Sequence, residues 1–167
     1  MVLKPQDLVI ALKLAVLGPV AWTYESLAKD LAMSPSEAHN GVKRLIQAKL
    51  LTPNRTVIRE SLSEFLIHGV RYAFPPSLGG KARGVPTAHA AEPLAKEIQA
   101  SEEDLPVWPF AEGTVRGQSF SPLYRSVPEV ALKDRALYEL LALTDAVRGG
   151  RTRERELAAK MLTERLR

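Results

Sequence analysis

The chain has 167 residues, 23 Lys+Arg against 19 Asp+Glu and a formal net charge of +4, and 46% of it is hydrophobic, enough to bury a core and too much for wholesale disorder. That length suits one ordinary domain, or a small one carrying an extension. The absence of cysteine excludes disulfide scaffolds, thiolate zinc sites and cysteine nucleophiles.

The stretch from Leu8 to Val20 is apolar enough to imitate the core of a signal peptide. Lys13 interrupts it, Asp7 precedes it, Gly18-Pro19 ends it and no small-x-small cleavage site follows, so it reads as a buried helix. No run reaches the ~18 uncharged apolar residues of a membrane span. No membrane partner is expected, and a cytoplasmic location is the default. Residues 1–60 carry 8 basic against 5 acidic residues, 61–100 carry 4 against 3, and 101–167 carry 11 against 11. The positive excess therefore sits where a nucleic-acid contact would be sought first.

Pro5 suits a first helical turn, and Leu8, Ile10, Leu12, Leu14, Ala15 and Leu17 predict a first helix ended by Gly18-Pro19. Thr23 as N-cap, Glu25 in the first turn and an apolar face of Leu27, Ala28 and Leu31 predict a second, Tyr24 to Ala32. Ser34-Pro35-Ser36-Glu37 combines a Ser cap, a first-turn Pro and a Glu three residues after the cap, the capping-box pattern, and opens a third helix. Its inward stripe is Ala38, Val42 and Leu45, while Ser36, Asn40, Lys43, Arg44 and Gln47 fall on or near the opposite side. Gly41 is expected to face the preceding helix, where a missing side chain permits close crossing. Thr52, Thr56, Val57 and Ile58 around Pro53-Asn54-Arg55 predict two very short strands and a tight turn. A fourth helix, Glu60 to Ala73, presents Leu62, Phe65, Leu66, Gly69, Val70 and Ala73 inward and stops at Pro75-Pro76.

From Pro75 to Pro128 the chain holds eight of its twelve prolines and five of its ten glycines, so regular structure should be sparse there. A short helix, Glu92 to Ala100, and a short strand near Gly113–Phe120 are expected. Trp108, Phe110, Phe120, Leu123 and Tyr124 are too apolar for a free linker and should pack over the rest of the protein. Ser126-Val127-Pro128-Glu129 repeats the capping-box pattern and opens a C-terminal helical region. Its main helix, Asp134 to Arg148, buries Leu137, Leu140, Leu141 and Val147. Gly149-Gly150 break it before a charged last helix, Arg151 to Arg167, with Leu157, Met161 and Leu166 inward.

The order helix, two helices joined by a tight turn, minimal hairpin resembles the winged helix-turn-helix domain of prokaryotic transcription regulators of the MarR-like kind. The resembling residues run from Leu27-Ala28-Lys29-Asp30-Leu31 through Ser34-Pro35-Ser36-Glu37-Ala38 to Val42–Leu51, and the match covers about residues 5 to 59, a third of the chain. His68–Pro75 and Arg83–Ala90 are similar to uncharacterised bacterial proteins carrying the same N-terminal domain. The implied fold is mainly α: a winged helix-turn-helix domain over 1–74 with a minimal two-strand wing, an irregular Pro/Gly-rich packed segment over 75–127, and a helical region over 128–167 available for dimerisation. The resemblance implies that residues 35–49 enter the major groove of double-stranded DNA. Asn40 has the paired donor and acceptor that reads adenine, and Lys43 and Arg44 suit guanine edges or phosphates. Ser36 and His39 contribute from the N-terminal end of the helix, with Gln47 farther along. Arg55 at the hairpin tip and Arg59 beyond it act as wing residues. The departure from the family is a wing only about three residues long, Pro53 to Arg55, with one clear charge.

Regulators of this kind form homodimers on pseudo-palindromic sites, and the first or last helix is the expected interface. The alternative is a winged-helix protein-interaction module, adaptor or antitoxin-like, whose partner is a protein. No enzyme or cofactor is expected. Gly79-Gly80-Lys81-Ala82 lacks the earlier Gly and the hydroxyl residue of a phosphate loop, and His39, His68 and His89 share no ligand-like spacing. Glu102-Glu103-Asp104 reads as a solvated turn, and there is no Gly-x-Ser-x-Gly elbow. Lys81-Ala82-Arg83-Gly84 reads as a basic surface loop, with an arm along the DNA backbone as the sharper alternative.

Overall fold

The computed structural model describes residues 1–99, 101, 103 and 105–167. The described residues form eight α-helices and one three-stranded sheet: α1 (Pro5–Leu17), α2 (Tyr24–Asp30), α3 (Pro35–Gln47), α4 (Arg59–His68), α5 (Val70–Ala73), β1 (Leu78–Pro86), β2 (Pro106–Pro109), β3 (Val115–Phe120), α6 (Val127–Lys133), α7 (Arg135–Gly149) and α8 (Thr152–Arg165).

The helix starts follow the local signals. The Thr23 and Ser34 hydroxyls accept from the N–H groups of Ser26 and Glu37, satisfying donors that a helix start leaves orphaned. The predicted box at Ser126 does not form. Ser126 has helical backbone angles, and its hydroxyl donates instead to the Leu31 carbonyl at 2.7 Å, tying the C-terminal region to the turn between α2 and α3. Asp134 caps α7 through the N–H of Leu137. The predicted fourth helix is two, because the backbone breaks at Gly69, and Ala73 lies exposed rather than inward.

The segment read as irregular carries the sheet. β1 runs antiparallel to both β2 and β3, which pair parallel to each other, so the three strands close on themselves. Closure this tight leaves no room for side chains where the backbones meet. A Cβ on Gly84 would lie 1.9 Å from the Trp108 carbonyl oxygen, and one on Gly117 would lie 2.1 Å from that of Leu105. Of the expected helix from Glu92 to Ala100, only a 3-10 turn at Leu94–Lys96 forms among the described residues, and Ala100 lies outside them. Near Pro53 the two expected strands reduce to a single bridge, Leu51 to Val57.

One contiguous apolar core draws on all three segments, from Leu8 and Leu45 through Trp108 and Phe120 to Leu141 and Leu162. Its centre is α1, which packs against both α3 and α7 and exposes none of Leu8, Val9, Ile10, Ala11 or Leu12. That burial removes α1 as a dimer interface, since its apolar surface is spent within the chain. Gly41 faces α1 rather than the preceding helix: a Cβ there would meet Ile10 Cδ1 at 2.3 Å. In α8 the buried positions are Glu154, Ala158 and Leu162, with Leu166 just beyond, while the expected Leu157 and Met161 are only half-buried. Among the described residues no helix is long and apolar enough to cross a membrane.

Candidate nucleic-acid interface

Pro at the start, the Ser34 cap and the burial of Ala38, Gly41, Val42 and Leu45 fix the rotation of α3 about its axis. Ser36, His39, Asn40, Lys43 and Gln47 consequently face solvent. Among the described residues Ser36, Asn40, Lys43 and Gln47 make no side-chain hydrogen bond or ion pair with the protein, which leaves their donors and acceptors for something else.

Arg44 does not belong to this face. Its Nε and Nη2 donate to the two oxygens of Asp7 at 2.7 and 2.9 Å, and Asp7, fully buried in the first turn of α1, also accepts from the Lys4 N–H at 2.8 Å. That hydrogen bond to Asp7, reinforced by its charge, raises the guanidinium pKa against a smaller desolvation effect. A fork committed to a buried carboxylate on both arms is unavailable to guanine or phosphate. Arg59 is likewise engaged, donating from Nη2 to the Ala15 carbonyl at 2.8 Å and closing the carbonyl end of α1.

Arg55 stays exposed and is held in place. It sits at the tip of the 52–56 turn with φ +66°, unusual for a residue with a side chain, and its guanidinium lies 4.6 Å from the Trp22 ring centroid and 5.3 Å from that of Tyr24. The Tyr24 ring meets Trp22 edge-on at 5.4 Å and His39 at 4.8 Å. A continuous row, Arg55–Trp22–Tyr24–His39, thus joins the turn to the outer face of α3. Beside it lies an open cleft of about 530 Å³ lined by Gly18–Trp22, Asn54–Val57 and Arg59. The sequence reading missed Trp22 and Tyr24, although an aromatic pair just ahead of α2 was the signal.

It also missed what covers the start of α3. Glu37 does not reach back to its cap; its carboxylate accepts from the Tyr124 hydroxyl and lies 3.8 Å from Arg125. Burial, then this bond to Glu37, raises the Tyr124 pKa. No sequence signal links residues 87 positions apart.

A second buried charge cluster lies elsewhere. Asp145 accepts from Thr87 Oγ1, Trp108 Nε1 and Arg148 Nη1, each at 2.7 Å, and Arg148 donates further to the carbonyls of Phe74 and Ser121. Burial pushes the Asp145 carboxyl up, against the pull of Arg148 and its donors. With its oxygens and the guanidinium turned onto protein groups, this cluster clamps the sheet to α7. Among the described residues no three His, Asp or Glu side chains converge as a metal site requires. No protein-family model, curated protein or solved structure matches the chain.

Proposed function

We propose that the chain binds double-stranded DNA sequence-specifically as a transcription regulator, with α3 in the major groove and the 51–57 hairpin as a reduced wing. The observation that carries this reading is the outer face of α3, where Asn40, Lys43 and Gln47 lie exposed and uncommitted beside Ser36 and His39. Amide and ammonium groups at one-turn spacing on one side of a helix match the donor and acceptor edges of successive base pairs. Arg55, pre-aligned on Trp22 and Tyr24, supplies a backbone contact at the flank. Arg44 and Arg59 support the scaffold in this reading. Two copies bind a pseudo-palindromic site, and with α1 sealed inside the fold, α8 with its exposed charged face is the element we assign to pairing.

Fluorescence anisotropy with a mixed-sequence duplex at several salt concentrations tests this. Binding should fall steeply with salt, and Asn40→Ala/Lys43→Ala should weaken it by at least about tenfold without lowering the melting temperature. Unchanged affinity in that variant overturns the α3 assignment. A parent protein that ignores duplex DNA at low salt overturns DNA binding altogether and leaves a protein partner as the reading to pursue.

A further inference from the structure

The basic stretch at Lys81–Gly84 is unused by α3, and it is strand rather than loop. In the β1–β3 register Arg83 lies directly opposite Arg116, and Lys81 directly opposite Gln118. Directly opposed residues share a face of a sheet, as do residues two apart on one strand, so Lys81, Arg83 and Arg116 stand together. All three are exposed.

Like charges in direct opposition destabilise a strand pair. Some arginines elsewhere are matched to acids, Arg44 to Asp7, Arg148 to Asp145 and Arg135 to Glu139, and others are held by rings or a carbonyl, as Arg55 and Arg59 are. Among the described residues neither Arg83 nor Arg116 has an acid within ion-pair distance. Lys81, among the described residues, meets a main-chain carbonyl, that of Glu103. Two adjacent guanidinium forks with no acid of the described residues against them are matched by phosphate, whose oxygens accept from such forks in pairs. A third cation along the strand suits a row of phosphates better than a single one.

We propose that the β1–β3 face, centred on Arg83 and Arg116 with Lys81 beside them, binds the phosphate backbone of DNA as a second contact in addition to α3. The proposal rests on the DNA-binding reading above. A physical link joins the two surfaces: β3 runs on into residues 121–126, which hold the start of α3 through Tyr124 on Glu37 and the α2–α3 turn through Ser126 on Leu31. The sheet and α3 are therefore fixed to one another.

The test measures duplex binding by anisotropy across a salt series for the full chain and three double variants. Arg83→Gln/Arg116→Gln should lower the slope of log affinity against log salt by about two for each chain bound and weaken all duplex sequences alike. Arg83→Lys/Arg116→Lys keeps the charges and should retain most of the slope. Lys96→Gln/Lys133→Gln removes two exposed cations that lie outside α3, the sheet and α8 and should leave it unchanged. A parental slope in the Arg83→Gln/Arg116→Gln variant overturns the proposal, as does an equal drop in the Lys96→Gln/Lys133→Gln control. If that variant keeps the parental slope while Asn40→Ala/Lys43→Ala loses binding, the α3 reading stands and this one alone fails. Absence of duplex binding by the parent sinks both.

Discussion

Lys43 and Arg44 are neighbours in sequence and opposites in role, because one residue step turns a helix by roughly 100°. Lys43 points to solvent, while Arg44 falls at the edge of the buried face, where Asp7 of α1 takes both arms of its fork. Asp7 is fully buried, so removing its partner strands a carboxylate away from water. We predict that Arg44→Ala lowers stability by about 3 kcal/mol, seen as a clear drop in the thermal midpoint, whereas Lys43→Ala changes it by less than about 0.5 kcal/mol. Equal midpoints for the two variants would show the ion pair to be dispensable. Both residues read alike in the sequence, since polar character and spacing mark a helix face but do not disclose which cation an acid on another helix has claimed.

At the scale of elements, α7 is joined to β1 by Tyr138, whose phenol donates to the Pro86 carbonyl at 2.6 Å beside the Trp108 ring. Burial pushes its pKa up from 10.0 to about 12. The folded value is the higher one, so the unfolded chain ionises first. The stability this group contributes is complete below pH 10 and is lost as pH rises towards 12. Tyr138→Phe should therefore flatten part of the alkaline decline in a denaturant-midpoint series while costing about 1 kcal/mol near neutrality for the lost hydrogen bond. Tyr124, also raised, keeps the rest of the decline. A variant whose alkaline decline matches the parent's would refute the assignment. The elements themselves were unevenly legible. The starts of α1, α2 and α3 carry their own caps and first-turn residues, so local signals sufficed. β1 reads Leu-Gly-Gly-Lys-Ala-Arg-Gly-Val-Pro, poor in β-formers, and its Gly84 is explained only by the neighbouring strand's backbone at van der Waals distance or closer. Ser126 shows the converse, a correct local pattern overruled by a distant carbonyl, that of Leu31.

At the scale of the whole molecule, the proposed site inherits the same division. Asn40, Lys43 and Gln47 were readable because they need only the periodicity of α3. The Arg55–Trp22–Tyr24–His39 row and the hold of Tyr124 on Glu37 were not, because each depends on tertiary contact. The first three helices have no core of their own: α1 is walled by α3 on one side and by α7 on another, and Lys13 on α1 donates to Asp134 at the start of α7 at 2.7 Å. Exposing the α7 side of α1 would place an apolar surface in water, and burial of such surface is worth roughly 25 cal/mol per Å². A fragment of residues 1–74 should consequently fail to fold cooperatively, giving no thermal transition by circular dichroism and no duplex binding, even though it contains every residue of α3. Adding residues 75–167 in trans should restore a transition if the contacts of α1 with α7 are what is missing. A fragment that melts cooperatively alone would mean that α3 is supported by the first seventy-four residues and that the C-terminal region is a separable addition.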